Sequence, residues 1–416
     1  MTVVSTLKSA LLPCALAFTL AGFSAPVVAL DENITAIFRP DPTNPMINTF
    51  KNTTPESGIC PGHIPARCKA MNIFTIRNPA FRAESSGPIL AYHEDPRQGA
   101  YFKVPSDWRD LQVTHAGSGA VETVQIRIAG VGASWALPRP PGVSAWGTTD
   151  TYWQTYWRGA PAPCQGVNYL AASTNFALFF WIVPEGAGAC SVMPGTDIPW
   201  LRYNQLEYAY ELRTPNPLDM RTGDYTGAIS YSMGPGGDFD FGDKMIPQGD
   251  STSLNFNFNL TVAHELKVDI PPGGNRIELL PQGGWQAWLH QGRPPSRLFR
   301  DQTFSISSST RFKMQLECGL VIGNTCGLRN EQGDEVPLQV AVTLPYGLSD
   351  GAGQAVNKLP LRLDGSGTEL FQPVHYVNNR PASLNFEVER ADVARMLEKP
   401  GTTYTGVVTV IWDSDI

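Results

Sequence analysis

Gly401-Thr-Thr-Tyr-Thr-Gly-Val-Val-Thr-Val-Ile-Trp-Asp-Ser-Asp-Ile416 is the stretch whose reading decides the fold. Tyr404, Gly406, Val408, Val410 and Trp412 fall on one face of a strand of period two, and Thr405, Val407, Thr409 and Ile411 on the other. Both faces are therefore largely apolar or β-branched. A sandwich covers such a strand with a further antiparallel neighbour, because an open apolar edge invites association. Only four residues follow Trp412, so the neighbour is expected either upstream or on another molecule.

The phrase has an earlier echo in Arg221-Thr-Gly-Asp-Tyr-Thr-Gly-Ala-Ile-Ser-Tyr-Ser-Met233, where Tyr225 matches Tyr404 and Gly227 matches Gly406. Two strand entries of one kind, far apart, predict two β-domains in tandem. The rest of the chain agrees with an all-β reading. Alternating strands are expected at Ile34–Phe38, Val121–Ile128, Leu206–Leu212, Tyr225–Met233 and Leu254–Val262, with a buried apolar strand at Asn175–Val183. Pro138-Arg-Pro-Pro-Gly142 reads as a turn. The joint falls at Val262-Ala-His-Glu265, after which Leu266, Val268 and Ile270 restart the alternation. Short strands follow at Arg276–Leu280, Thr303–Ser307, Phe312–Glu317, Leu338–Leu344 and Ser383–Glu389. Ala391–Glu398 is the one helix expected in the second half. The spacing fits two immunoglobulin-like β-sandwiches.

Composition bounds the function. Residues 1–29 read as a secretory signal, with Lys8, an apolar run from Ala10 to Leu20 and a small-residue cleavage site at Val27-Val28-Ala29; Cys14 is removed with it. Six cysteines remain: Cys60, Cys68, Cys164, Cys190, Cys318 and Cys326. In an exported chain they imply disulfides, and the sequence-local choice is 60–68, 164–190 and 318–326 among 15 possible pairings. Zinc is disfavoured, since the spacings are not short pairs and no histidine sits in a ligand pattern. With a formal charge of −7 and 17% charged residues, the chain offers no basic surface for nucleic acid or anionic membrane.

Asp31-Glu-Asn-Ile-Thr-Ala-Ile-Phe38, Glu265-Leu-Lys-Val-Asp-Ile270 with Gly274 and Arg276 to Pro281, and Pro400-Gly-Thr-Thr-Tyr-Thr-Gly-Val-Val-Thr-Val410 together resemble a known family. They are similar to the mature start, the pilin-domain start and the last strand of the tip subunits of class 5 chaperone–usher fimbriae, the CfaE/CblD-like initiators. The motifs are short, but their order spans both ends and the joint. The resemblance implies a signal peptide (1–29), an adhesin domain (30–263) and a pilin domain (264–416) whose immunoglobulin fold lacks its last strand. It implies a groove lined by Leu266, Val268, Ile270, Val408, Val410 and Trp412. A periplasmic chaperone, then the donor strand of the next pilin subunit, would fill that groove, with assembly at an outer-membrane usher and display at the fimbrial tip on the cell surface. Strand-like Ile34, Ala36 and Phe38 are assigned to the first domain, although they also look like a donor strand.

Candidate receptor contacts come from an aromatic cluster, Trp146, Tyr152, Trp153, Tyr156, Trp157 and Arg158, and from Arg213 and Arg221. Aromatic faces stack on sugars and arginine pairs with anions. The competing reading makes each ring core and each arginine solvated. Family adhesins use a basic cluster at the distal pole of the first domain, which is where the resemblance puts the two arginines; the family's adjacent arginine pair is absent. Asp238-Phe-Asp-Phe-Gly-Asp243 lacks the further ligands of a calcium loop and reads as a turn. His264-Glu265 has no second histidine for a zinc-protease helix, and no Gly-x-Ser-x-Gly or phosphate loop occurs. The expectation is a non-enzymatic adhesin with no cofactor and no metal. A minor pilin without receptor, or an exported carbohydrate-active protein, is the alternative.

Overall fold

The computed structural model describes residues 30–138, 145–146, 153–249 and 251–414, apart from the side chains of Trp153, Gln154, Ala287 and Gln291. The signal segment 1–29 and the turn 138–142 beyond its first residue lie outside the described residues.

The chain is all-β, two sandwiches in tandem. In the first, twelve strands form one hydrogen-bonded sheet. Its backbone is the long strand Val121–Ala136, which pairs with Arg109–His115 over its first half, Phe176–Ile182 over its second and Arg202–Arg213 along its other edge. The order continues from Arg109–His115 to Gly223–Ser232, Ser253–Val262 and Leu30–Phe38. The sheet folds face to face on itself. Phe256 lies four strands from Tyr208 in pairing order, yet their ring centroids are 5.4 Å apart. Alternation explains Ser253–Val262, whose even-numbered residues are buried in turn.

Alternation fails for the central strand. Ile126 to Trp135 are all buried, because both faces are covered, and the strand runs well past the predicted Ile128. Gly130 and Gly132 make this close packing: a Cβ there would lie 2.5 Å from the Phe180 ring and 2.4 Å from the Phe179 carbonyl oxygen. Read in sequence, such glycines look like a turn.

Leu30–Phe38 pairs in parallel with Leu254–Val262 along its whole length, and Ile34 and Phe38 are fully buried. It is a strand of the first sandwich. The cysteines pair as Cys60–Cys68, Cys164–Cys190 and Cys318–Cys326. Each is expected to contribute about 2–4 kcal/mol, chiefly by restricting the unfolded chain.

The second sandwich has a separate core, running from Leu298 to Val393. One sheet orders Leu266–Asp269, Leu298–Ser308, Val377–Val388, Glu335–Thr343, Thr325–Arg329 and Val321–Ile322; the opposite layer includes Lys313–Cys318 paired with Val408–Asp413. The helix Arg390–Leu397 forms close to the predicted place. A second helix, Trp285–Gln291, was not predicted, since its Gly-Gly and Pro-Pro flanks mask a seven-residue element.

The echo of Tyr225 and Gly227 in Tyr404 and Gly406 has a shared physical cause at the glycine. A Cβ would meet the carbonyl oxygen of Gln112 at 2.3 Å in one case and of Gly327 at 2.6 Å in the other. The tyrosines differ. Tyr225 hydroxyl spans the backbone N–H and C=O of Arg221, whereas Tyr404 donates to Asp334 at 2.5 Å.

At the joint His264 stands edge-on to Phe38. Its Nε2 is 3.0 Å from the Met220 carbonyl oxygen and its Nδ1 is 3.2 Å from Ser309 Oγ. A carbonyl only accepts, so the proton sits on Nε2 and Nδ1 accepts from serine. Asp219 and Arg311 add an ion pair of 2.9 Å across the joint. Burial holds the His264 pKa below its ordinary 6.5, opposed in part by the bond to Met220. The folded form therefore binds fewer protons than the unfolded one. This contribution is present above about pH 6.5 and is lost as pH falls through the lowered pKa. The protection of the Ala263 and Glu265 amides, corrected for their intrinsic exchange rates, is expected to fall as pH drops below about 6.5, and His264→Gln, which can make both hydrogen bonds, should flatten that dependence.

Candidate functional site

The terminal strand Val408–Asp413 forms because β-branched residues alternate with threonine, and it pairs with Lys313–Cys318 in register from Lys313–Asp413 to Cys318–Val408. Its other edge pairs with no strand among the described residues. The short strand Leu266–Asp269 likewise has one neighbour, Leu298–Ser308. Two free edges thus belong to one sandwich.

The side chains along them share a condition. Leu266 and Val268 from one edge, and Tyr404, Val408, Val410 and Trp412 from the other, all pack on the second core yet stay only half-buried. Trp412 reaches inward to Phe304, ring centroids 5.5 Å apart. A finished core buries such residues fully. Ile270 behaves differently: it lies one residue beyond the paired strand and is 50% exposed, at the start of the Pro-Pro-Gly-Gly turn. Ile277 and Leu279, after that turn, lean on the core instead. The sequence places them in a strand at Arg276–Leu280 but not in the groove; only Leu280–Pro281 forms a strand, because the turn before it keeps 276–279 off the ladder.

The receptor candidates are dispersed. Trp157 is fully buried, with ring centroids 5.2 Å from Trp146, 5.5 Å from Trp135 and Trp181, and 4.7 Å from Phe179, and its carbonyl accepts the Trp181 indole N–H at 3.0 Å. It is a pillar of the first core and offers no face to a ligand. Trp146 is equally buried, and Tyr156 and Arg158 are half-buried beside them. The side chain of Trp153 and all of Tyr152 lie outside the described residues.

Arg213 and Arg221 are exposed but at the wrong pole for the expected role. Arg202–Arg213 runs antiparallel to Val121–Ala136 and ends on the side where Ser253–Val262 hands over to the joint. Arg221 directly follows Met220, whose carbonyl holds His264. Arg213 stacks 3.9 Å from the centre of the Trp108 ring. Strand direction relative to the joint is a tertiary property, which is why spacing misplaced them. The acidic run is occupied with arginine: Asp240 and Asp243 hold Arg97 at 2.8 and 2.7 Å, and Asp238 pairs with Arg109.

At the opposite pole Tyr92 is 73% and Leu90 60% exposed, on a ladder bridged from Ile89 to Ile198. Nearby Arg202 lies 4.6 Å over the Trp200 ring and 3.6 Å from Glu84. Two clefts of about 250 and 270 Å³ lie elsewhere, one at the joint beside Met46, Tyr346 and His375, one beside the Cys60–Cys68 loop. Neither lining gathers a carboxylate pair or a nucleophile with its base.

No protein-family model and no curated protein matches the chain. Among solved structures it is similar to a chain of a chaperone–tip adhesin complex of CFA/I fimbriae biogenesis, at 10% identity over 93% of this chain and 97% of that one, TM-score 0.23. It is similar to a mutant of the CFA/I enterotoxigenic E. coli adhesin CfaE, at 11% identity over 93% and 95%, TM-score 0.23. It is also similar to a chain of the CsuC–CsuE chaperone–tip adhesion subunit complex of the archaic chaperone-usher Csu pili of Acinetobacter baumannii, at 8% identity over 93% and 99%, TM-score 0.22. These alignments run the length of the chain but superpose loosely, and the functional reading stands on the two free edges.

Proposed function

We propose that this chain is the tip subunit of a chaperone–usher fimbria: residues 264–416 accept a donor strand and start assembly, and residues 30–263 bind a surface receptor. One observation carries the reading. Val408–Asp413 is paired on one side only among the described residues, and its inward residues sit half-buried on the second core. A strand laid between the two edges would satisfy their backbone groups and drive alternate side chains into the core together, which is strand addition. A periplasmic chaperone is the first occupant and the next pilin subunit the second, exchanged at an outer-membrane usher. The mature tip is then displayed on the cell surface. The sequence resemblance points the same way.

The receptor surface is assigned to the pole away from the joint, where Tyr92, Trp200 and Arg202 present aromatic and cationic groups. Exposed rings suit the apolar faces of sugars, with arginine fixing hydroxyl or acidic groups, so a glycan is the proposed ligand. Full-length chain completed by a fused strand is expected to bind a subset of a glycan array. Tyr92→Ser with Arg202→Ala should reduce that binding at least tenfold without changing the melting temperature by more than a degree or two, as surface substitutions do. Retained binding in the double variant, together with loss in Arg213→Ala, would move the receptor site to the joint.

A further inference from the structure

The cleft of about 250 Å³ at the joint lies between the loop that follows Leu30–Phe38 and the second sandwich, and it shares no lining residue with the two free edges or with the Tyr92 pole. Among the described residues Arg380 is the only charged one that lines it, in a chain with 38 acidic and 31 basic residues. Its guanidinium makes no ion pair and no hydrogen bond among the described residues. Its backbone is held in the strand Val377–Val388, opposite Ile306. The acids next to the lining are spent elsewhere. Glu265 accepts from the hydroxyl of buried Tyr376 at 2.5 Å, and Asp41 accepts from Thr43 and Asn44 at 2.7 to 3.0 Å. A concave site of unopposed positive charge favours an anion.

The walls are of another kind. Met46 from the first sandwich is 71% exposed and Tyr346 from the second 94%, and Pro42 and Pro45 extend the apolar side. The His375 ring stands 6.1 Å from that of Tyr346. Gly347 permits this seat: its φ is +99°, and a Cβ there would lie 2.9 Å from the His375 ring. His375 and the Asn378 amide add hydrogen-bonding groups to the same lining. An exposed tyrosine ring stacks on the apolar face of a sugar, and arginine takes a carboxylate through its planar fork. The two requirements meet in a sugar that carries an acid.

We propose that this cleft binds a carboxylated pyranose, a uronic or sialic acid residue of a surface glycan, with Arg380 on the carboxylate and Tyr346 against the face of the ring. It is a second glycan site, and it stands whether or not the Tyr92 pole binds a receptor.

Methyl glucuronide, the methyl glycoside of N-acetylneuraminic acid and neutral methyl glucoside, each titrated into the full-length chain and followed by calorimetry and ligand-observed NMR, test it. At least one of the acids is expected to bind with a Kd of about 1 mM, the range for a ligand of that size, and the acid that binds identifies the source. The glucoside should bind about tenfold more weakly or less, since it lacks the charged pair. Arg380→Gln should abolish that difference without moving the melting temperature by more than a degree or two. Tyr346→Ser should weaken the acid, and Tyr92→Ser with Arg202→Ala should leave it unchanged. Binding of neither acid, equal binding of acid and neutral sugar by the native chain, or an acid preference that survives Arg380→Gln overturns the proposal.

Discussion

A β-strand of alternating apolar residues, fused after Ile416 through a short turn, is expected to turn an association-prone chain into a heat-stable monomer. The half-buried set of Leu266, Val268, Val408, Val410 and Trp412 defines the gain. Removing the remaining apolar surface of five such side chains from water stabilises by about 1 kcal/mol each, on the order of 5 kcal/mol together. For a domain of this size that raises the melting temperature by on the order of 10–20 °C. Closing the two free edges should abolish association at the same time. Val410→Asp is the opposing arm. Val410 packs inward, register partner of buried Leu316, so an aspartate there would bury a charge with no partner when the strand docks. The fused strand should then add nothing, and Val408→Asp should act alike. Calorimetry and size-exclusion chromatography read both effects. A fused chain that melts with the unfused one, or a Val410→Asp chain that is still rescued, would show that the groove or its facing has been misassigned.

Trp157→Ala is expected to be the most damaging single truncation in the first sandwich. The ring is fully buried among Trp135, Trp146, Phe179 and Trp181, and its backbone carbonyl anchors the Trp181 indole. Emptying that site costs the transfer energy of the ring and the cavity it leaves, about 3–5 kcal/mol. The unfolding transition of the first sandwich should fall by on the order of 10 °C. Receptor binding should be lost only in proportion to unfolding, and an unfolded fraction measured by circular dichroism at the assay temperature would show this. Were Trp157→Ala to keep its melting temperature and lose ligand, the ring would have to be at the surface.

Trp412 and Trp157 mark the limits of what local sequence pattern specifies. Val408, Val410 and Trp412 could be placed on one face because a strand has a period of two, and that face packs half-buried on the second core, with Lys313–Cys318 as the strand's one neighbour among the described residues. The alternation expected at Leu254–Val262 forms for the same reason, in the strand Ser253–Val262. Trp157 sits in a stretch with no usable period, a single wide π-helical turn of Trp153–Arg158, and local pattern there says nothing about which way a ring points. Arg213 and Arg221 failed differently. Their exposure was right, but the pole was wrong, because it depends on how many strands the chain crosses before it reaches the joint.

By itself the sequence determined the all-β class, the restart of alternation after Glu265 and the apolar period-two face of Val408, Val410 and Trp412, and it offered the chain-local cysteine pairing as one of 15. These are properties of period, composition and short loops, which a chain carries locally. Tertiary structure alone decided that the central strand is covered on both faces, that Trp146 and Trp157 are core, and that Leu30–Phe38 joins the first sheet in parallel with Leu254–Val262. Each of these depends on which distant residues meet, and pairing between strands is chosen by the closing of the whole sandwich rather than by any stretch within it.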